Sequence, residues 1–429
     1  MSVFVRLRRV IPATPQEKRA ALWSFVYFFA LLASYYVLRP IRDQMGIAGG
    51  VKNLPWLFTA TFITLLIAQP VYGALVARLP RTRFIPVVYH FFVVNLLVFW
   101  VLLNGVSNTA VVARIFFVWL SVFNLFAVAV FWSVMADLFT SEQGKRLFGF
   151  IGAGGTAGAL LGPTITIWLS VPLGPVNLML VAAALLEAAV FCVHRIEHAR
   201  LGPVGPQESE QTIGGGALAA IPALARSPYL MGVGVWVALL SYAATIVYFE
   251  QAQLVSASVG SAGQQTRIFA SIDLAVSVLT LATQILITGE VLKRLGTGLS
   301  AAALPAVYIV GFAFLGFAPS LIVVVIVQVL QRWMNFAIAN PARQLYFTVV
   351  SREDKYKAKN LIDVVIYRGA DALSGWIFDT LQVLGLKLGA IALYSIPVVA
   401  GWFVLSLALG RTQEKRSAEL GESHSVVEA

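Results

Sequence analysis

Long apolar stretches separated by short polar segments run along most of the chain. The stretch "ALWSFVYFFALLAS" at 21–34 has no charged residue, and similar stretches recur at regular intervals. A helix needs about 20 mainly apolar residues to cross the hydrocarbon core of a bilayer. We therefore predict an all-α membrane protein with twelve spans, near residues 20–40, 55–78, 84–104, 110–136, 146–171, 175–196, 228–255, 266–290, 298–317, 320–348, 358–384 and 388–410.

The composition supports the membrane assignment. Hydrophobic residues make up 59% of the 429 residues and charged residues only 12%, which is more apolar surface than a soluble core can bury. The single cysteine, Cys192, excludes an intrachain disulfide and a thiolate metal cluster. In a membrane protein the net charge of +11 first indicates basic cytoplasmic loops, so we expect no nucleic-acid partner.

The connections between the predicted spans differ in charge from one membrane face to the other. The connections on one face are nearly free of lysine and arginine: "GIAGGVKNL", "LNGVSNTA", "SVPLGP" and "GFAPS". Lysine and arginine cluster on the other face, at the N terminus and in "ARLPRTRF", "SEQGKR", "HRIEHAR", "VLKRLGTG", "SREDKYKAK" and "GRTQEKR". Basic loops stay in the cytoplasm. We therefore expect both termini there, in a bacterial inner membrane, without a cleavable signal peptide.

A long polar connection divides the spans into two sets of six. Residues 199–226 separate an N-terminal half, 1–198, from a C-terminal half, 227–411, and a cytoplasmic tail follows at 412–429. The segments "GALVARL" and "GEVLKRL" follow the second span of each half and resemble each other. Two related six-helix halves indicate the major facilitator architecture, with the substrate bound between the halves. The Gly-x-x-x-Asp-Arg signature of that superfamily has Ala77 at its acidic position here.

Ionisable residues lie inside several predicted spans. A charged side chain facing lipid costs at least ~2.5 kcal/mol on insertion scales, so such residues usually face a cavity or a partner. Several arginines in one cavity suit an anion, because a guanidinium binds carboxylate or phosphate through two contacts. Acidic neighbours would balance the empty site and could carry a coupling proton. We predict a substrate site formed by Arg39, Arg42, Asp43, Glu250, Asp273, Arg332, Arg368 and Asp371.

The alternative for some of these charges is anchoring at the membrane surface. The stretch "YYVLRPIRDQMG" at the end of span one places Arg39 and Asp43 four residues apart, where they can pair on one helix face. Near the end of span eleven, Asp363 can reach water or pair with Lys359.

Two other motifs are better explained by packing and anchoring than by chemistry. The segment "HRIEH" at 194–198 has the spacing of a zinc protease motif, but it ends a span beside arginines. The segment "GAGGTA" follows no predicted strand, whereas Gly154, Gly158 and Gly162 recur every four residues and predict a smooth helix-packing face. The spans assemble no Ser-His-Asp or Cys-His arrangement, so we expect neither an enzyme nor a cofactor.

Four segments resemble the ATP/ADP antiporter family of plastids and intracellular parasites. They are "VLRPIRDQMGIAGGVKNLPWLF", "FWSVMADLFTSEQGKRLFGFIGAGGTAG", "IVYFEQAQL" and "DVVIYRGADALSG". The resemblance implies exchange of nucleotides across the membrane without ATP hydrolysis. It assigns the family's basic-Asp pair to Arg42 and Asp43, and its seventh-span glutamate to Glu250. A lysine of the family's eleventh span is replaced here by Ala370 or Asp371, and the lysine of span one by an arginine.

Three functions remain open at the level of sequence. We expect a secondary transporter of a small anionic solute, such as a nucleotide or a related phosphorylated compound, acting as a monomer in the bilayer. A proton-coupled carrier or exporter of another organic solute would use Glu250 or Asp273 as its titrating group. A membrane receptor or a lipid scramblase on the same fold would not transport the solute.

Overall fold

The computed structural model describes residues 14–78, 81–105, 107–198, 221–351 and 358–427, and no β-strand occurs in these ranges. Most of the described residues are helical. We number the twelve long helices of these ranges α1 Pro15–Ala48, α2 Leu54–Arg78, α3 Arg81–Gly105, α4 Thr109–Leu138, α5 Ser141–Leu169, α6 Gly174–His198, α7 Pro228–Ser258, α8 Ala262–Leu286, α9 Thr288–Phe317, α10 Leu321–Tyr346, α11 Tyr367–Val383 and α12 Leu388–Val427.

Eleven helices of the described residues are long and apolar enough to cross a membrane. The twelfth, α11, has only 17 residues, but the π-helical segment Leu361–Ile366 leads directly into it. A second π-helical segment, Asn335–Ala339, lies within α10. Each predicted span therefore corresponds to a helix, and the predicted all-α membrane fold is confirmed. The polar connection predicted at 199–226 lies mostly outside the described residues.

The first helix extends beyond the predicted span at both ends. Thr14 caps its N terminus and forms a capping box with Glu17, which satisfies backbone N–H groups that have no partner within the helix. The helix runs through Pro40 without interruption. It ends before Gly50, whose φ of 94° is accessible to glycine at little cost. The chain then forms a short 3₁₀ helix, Val51–Asn53, and enters α2.

The first turns of α1 and α5 are joined by polar contacts. Thr140 forms a capping box with Gln143 at the start of α5, as Thr14 does with Glu17 at the start of α1. The side-chain amide of Gln143 donates to Glu17 Oε1 at 2.8 Å, and Arg146 Nη2 lies 3.5 Å from the same oxygen. The two capping boxes therefore form one network that links the ends of both helices.

The helices pack into two compact units. Unit 1 contains the described residues of Met1–Gly49, Ile67–Gln211 and Ser261–Leu274. Unit 2 contains those of Gly50–Leu66, Thr212–Gly260 and Ala275–Ala429. Each unit thus combines most of one half of the sequence with a short segment of the other half.

Glycines of α5 bring this helix into direct contact with α1 in unit 1. A Cβ on Gly154 would overlap the carbonyl of Phe25, and one on Gly158 would overlap the carbonyl of Phe29. One turn further, a Cβ on Gly162 would lie 2.7 Å from the carbonyl oxygen of Ala33. Such backbone contact is how helices pack in a bilayer, where there is no hydrophobic driving force between them. The packing face predicted from the glycine spacing is confirmed.

Unit 2 has a glycine contact of its own, between α9 and α12. A Cβ on Gly410 would overlap the backbone of Gly298, so these two helices also touch through their main chains. Nearby, the rings of Trp236 and Trp402 are fully buried with centroids 5.3 Å apart, and Trp236 Nε1 donates to Ser406 Oγ at 2.8 Å. These contacts hold α7, α9 and α12 together in unit 2.

Candidate functional site

An ion pair in unit 1 joins α1 to the middle of α8. Arg39 Nη1 lies 3.3 Å from Asp273 Oδ1, with 22% of the arginine side chain exposed and only 1% of the aspartate. The Arg39 guanidinium also lies 6.0 Å from the centroid of the Tyr36 ring. A buried charge is tolerated only with a partner. Each member of this pair therefore stabilises the charge of the other.

The other two predicted residues of α1 lie against α4. Arg42 Nη1 is 3.5 Å from Asp43 Oδ1, Arg42 Nε donates to the carbonyl of Phe117 at 3.3 Å, and the guanidinium lies 3.8 Å from the centre of the Phe117 ring. On the same helix, Arg114 Nε donates to the carbonyl of Gly49 at 2.7 Å. The sequence analysis did not identify Arg114 as a site residue. These contacts hold the end of α1 on α4.

A second group of charges lies on α11 in unit 2. Arg368 Nη1 donates to Asp371 Oδ2 at 3.2 Å, while the hydroxyls of Ser241 and Thr245 donate to Asp371 Oδ1. Asp371 is buried, whereas 36% of the Arg368 side chain is exposed. The two hydroxyls come from α7, and nothing in the sequence identified them as neighbours of Asp371. Asp371 thus orients an arginine that remains accessible.

Glu250 on α7 is fully buried, and neither of its carboxylate oxygens has a hydrogen-bond partner among the described residues. A buried carboxylate without hydrogen bonds is strongly disfavoured in its charged form. Such a group is suited to carrying a proton or to meeting a cation.

The residue next to Glu250 begins a chain of buried amides. Gln328 Nε2 donates to Gln251 Oε1 at 2.6 Å, Gln331 Nε2 donates to Gln328 Oε1, and the hydroxyl of Tyr308 donates to Gln331 Oε1 at 2.7 Å. All four side chains are buried. The sequence analysis followed only charged residues and missed these amides, although Gln328 and Gln331 are three residues apart on one helix face.

The remaining predicted arginine, Arg332, lies on α10 directly after Gln331 and is partly buried. Further along α10, Arg343 Nη1 donates to Asp363 Oδ1 at 2.7 Å, and Lys359 Nζ donates to Gln344 Oε1 at 2.8 Å. Asp363 therefore pairs with an arginine of α10 rather than with Lys359, the partner considered from the sequence. Both π-helical segments adjoin this pair, and π-helical turns often occur at functional sites.

The predicted site residues thus form pairs within each unit. Unit 1 contains the pair of Arg39 with Asp273 and the pair of Arg42 with Asp43. Unit 2 contains the pair of Arg368 with Asp371, and also Glu250 and Arg332. An anion that binds one of the paired guanidinium groups must compete with a carboxylate already in place. Carboxylates and phosphates both bind a guanidinium through paired oxygens.

A model of the Major Facilitator Superfamily matches residues 19–358 of the chain. The chain belongs to this superfamily. Members fold from two six-helix halves. The protein is therefore a multi-pass membrane transporter of the secondary type rather than an enzyme.

Solved structures of other transporters share the fold. The nucleoside transporter NupG matches with a TM-score of 0.64 and 15% identity over 92% of this chain and 99% of its own. A bacterial homologue of the human lysosomal transporter Spinster, inward-facing and unoccupied, matches with 0.58 and 12% identity over 94% and 99%. A bacterial homologue of the iron transporter ferroportin, inward-facing, matches with 0.65 and 13% identity over 96% and 99%. These identities establish the fold alone. No curated protein matches the sequence significantly.

Proposed function

We propose that the protein exchanges anionic solutes across the membrane by alternating access, and that its substrates are nucleotides or related phosphorylated compounds. The observation that carries this proposal is the oriented guanidinium of Arg368, which is held by buried Asp371 and still exposes 36% of its side chain. Arg39 is a second candidate, since Asp273 holds its guanidinium and 22% of its side chain is exposed. The resemblance of the Arg42 and Glu250 segments to the ATP/ADP antiporter family points to the same substrates.

The proposed roles follow from the charge of each group. Arginines would bind the anion through charge-assisted hydrogen bonds, while aspartates would hold these arginines in the empty carrier. Glu250 would balance the charge or carry a proton. The arginines are Arg39, Arg42, Arg332 and Arg368, and the aspartates are Asp43, Asp273 and Asp371.

Exchange assays in proteoliposomes test the proposal. Vesicles containing the purified protein are loaded with ATP or ADP, and the uptake of labelled ATP is measured. We expect uptake that depends on nucleotide inside, and none in vesicles without protein. If no nucleotide or phosphorylated compound is taken up or exchanged, the proposed substrate class is wrong. A receptor or a scramblase on this fold would also give no solute flux.

A second candidate is a proton-coupled carrier of another organic solute. The buried, unpartnered carboxylate of Glu250 favours it, because protonation removes the cost of a buried charge. In this case a pH gradient should drive uptake in the wild-type protein, and Glu250→Gln should abolish the response to the gradient. The control is Glu187→Gln, which alters a half-exposed carboxylate that lies 3.5 Å from His90 in unit 1. Transport that ignores the gradient would exclude this candidate.

We further propose that the carrier works as a monomer in a bacterial inner membrane. Both termini and the connection at 199–226 would face the cytoplasm, as the distribution of lysine and arginine indicates.

A further inference from the structure

A groove with an apolar lining lies between α9 and α10 in unit 2. Its volume is about 550 Å³, and the two helices line it with aliphatic and aromatic side chains and one glycine. The helices touch at its floor, where a Cβ on Gly311 would lie 2.8 Å from Val327 Cγ1. Water would find no hydrogen-bond partner among these side chains, although it needs roughly two to four polar groups to bind in a protein. The groove is therefore suited to an apolar occupant.

The rim of the groove is formed by exposed apolar side chains of two membrane spans. Both helices are long and apolar enough to cross a membrane. Val310 and Phe314 on α9 are 55% and 61% exposed, and Ile326 on α10 is 51% exposed. An apolar face of a spanning helix contacts lipid tails, which are as apolar as the side chains themselves. The groove is thus continuous with the contact between these spans and the bilayer, and lipid molecules have direct access to it.

The groove runs along the helices over most of one lipid leaflet. On α9 it extends from Ala306 to Phe314, about 12 Å at 1.5 Å per residue. It begins near one membrane surface, because Phe314 and Val323 lie within one turn of the connection between α9 and α10. The hydrocarbon core of a bilayer is about 30 Å thick, so one leaflet is about 15 Å deep. The groove therefore has the direction and the depth of an acyl chain in that leaflet.

The groove is too narrow for a helix of a second copy or of a partner protein. A volume of about 550 Å³ over a length of about 12 Å corresponds to a mean cross-section of about 46 Å². An α-helix with its side chains is about 10 Å wide, which corresponds to a cross-section of about 80 Å². A flexible hydrocarbon chain is thinner than a helix and needs no polar partner. The width and the apolar lining together therefore favour a lipid tail over a protein segment.

We propose that the groove is a lipid site that binds an acyl chain of a bilayer phospholipid. The chain enters from the membrane surface near Phe317 and lies between Val310 and Ile326. It supplies the dispersion contacts that the two helices do not make with each other along the groove. The connection at 318–320 contains no charged residue, so the site selects the acyl chain and not the head group.

The bound chain lies close to the chain of buried amides. Tyr308 lies three residues before Gly311, and Gln331 lies four residues after Val327, so both follow the floor of the groove by about one turn. The hydroxyl of Tyr308 donates to Gln331 Oε1 at 2.7 Å. Because the acyl chain packs on α9 and α10 together, it stabilises the approach of the two helices on which this hydrogen bond depends.

Photolabelling tests the site. The purified protein is reconstituted into vesicles of phosphatidylcholine or of phosphatidylglycerol that contain a trace of the same lipid with a diazirine on one acyl chain. Labelled residues are then mapped by mass spectrometry. We expect about tenfold more label at Val310 and Ile326 than at Ile322, equivalent to about 1.4 kcal/mol in favour of the groove. Ile322 is the matched control, because it lies on α10 outside the groove and is 73% exposed. Both head groups should give this pattern.

Filling the groove provides a second test. Ala306→Phe places a ring in the groove, and we expect the label at Ile326 to fall to the level at Ile322. Val310→Phe narrows the rim and should have the same effect, so the test does not depend on the folding of one variant. The control, Ala408→Phe, adds the same ring at an exposed position of α12 and should be labelled as the wild type is.

Three results would overturn the lipid site. Equal label at Ile326 and Ile322 in the wild type would mean that the groove holds only exchanging bulk lipid. Label confined to phosphatidylglycerol would mean that the head group selects the lipid. Disulfide-linked dimers of a Val310→Cys variant that also carries Cys192→Ala would mean that a second copy covers the groove. None of these results depends on the transported solute, so the lipid site and the proposed function are tested separately.

Discussion

At the scale of single residues, the proposed site differs from a simple cluster of positive charge. Four arginines of the described residues each pair with an aspartate: Arg39, Arg42, Arg343 and Arg368. Replacing an arginine would therefore also remove the ion pair of its aspartate, in addition to a contact with the proposed substrate. At Arg368 the aspartate keeps other partners, because Ser241 and Thr245 still donate to Asp371. Arg368 is therefore the best residue for measuring the contribution to binding.

We expect Arg368→Ala to lower the affinity for the transported anion by about one to two orders of magnitude. The loss of one charge-assisted contact corresponds to roughly 1.5–3 kcal/mol, and each 1.4 kcal/mol is tenfold. Arg368→Lys should restore only part of the affinity, since an ammonium cannot reproduce the two-point contact. Binding to the purified protein measures the effect. Arg195→Ala is the control, because Arg195 is exposed at the end of α6. Wild-type affinity in Arg368→Ala would remove this residue from the site.

A second prediction at this scale concerns Glu17. Its carboxylate accepts from the backbone of Thr14 at 2.7 Å and from Gln143 at 2.8 Å. We expect Glu17→Ala to destabilise the folded protein by roughly 1–2 kcal/mol, as for a lost helix cap with an additional hydrogen bond. Glu142→Ala, in the exposed first turn of α5, should have little effect. Thermal unfolding in detergent compares them, and equal melting temperatures would show that the network contributes nothing.

At the scale of helices, the glycine faces determine how closely neighbours pack. Gly158 and Gly152 lie on the same helix, α5, but only Gly158 touches the backbone of α1, whereas a Cβ on Gly152 meets nothing within 4 Å. We expect Gly158→Ala to destabilise the protein by about 1–3 kcal/mol, the usual cost of overpacking. Gly152→Ala should be neutral or slightly stabilising, because alanine favours helix. Melting temperatures of the two variants provide the measurement. A neutral Gly158→Ala would mean that α1 and α5 can separate at little cost.

The two π-helical segments are a feature of the second half of the chain. Asn335–Ala339 lies in α10, shortly before Arg343, and Leu361–Ile366 precedes α11 and contains Asp363, the ion-pair partner of Arg343. A π-helical turn shifts the register of the side chains that follow it. The apolar pattern predicted both helices but not these turns, since one extra residue in a turn barely alters a hydrophobic run.

At the scale of the whole molecule, the orientation in the membrane follows from charge. We expect a cysteine introduced at Ser209, in the connection at 199–226, to be protected from an impermeant maleimide in intact cells and to react after the membrane is opened. The physical reason is the retention of lysine-rich and arginine-rich connections in the cytoplasm. A cysteine at Ser107, in the connection between α3 and α4 on the opposite face, is the control that should react from outside. The reverse result would invert the topology.

Three features follow from the amino-acid sequence alone: the number of helices, the membrane class and the packing face of α5. These are local properties: an apolar run of about 20 residues needs no partner to be suited to a bilayer, and glycines four residues apart always share a helix face. For the same reason, charges inside the spans could be selected as site residues from the sequence, because lipid excludes them unless they have a partner.

The partner of each charge depends on how the helices pack. Arg39 could pair with Asp43 on its own helix, but it lies within 3.3 Å of Asp273 on α8, and Asp371 receives its hydroxyl donors from α7. The placement of the start of α8 in unit 1 is equally invisible in the sequence. Spacing along a chain limits contacts only within one helix, whereas contacts between helices depend on how all of them pack. A buried charge requires a partner, and the packing of the helices determines which residue that partner is.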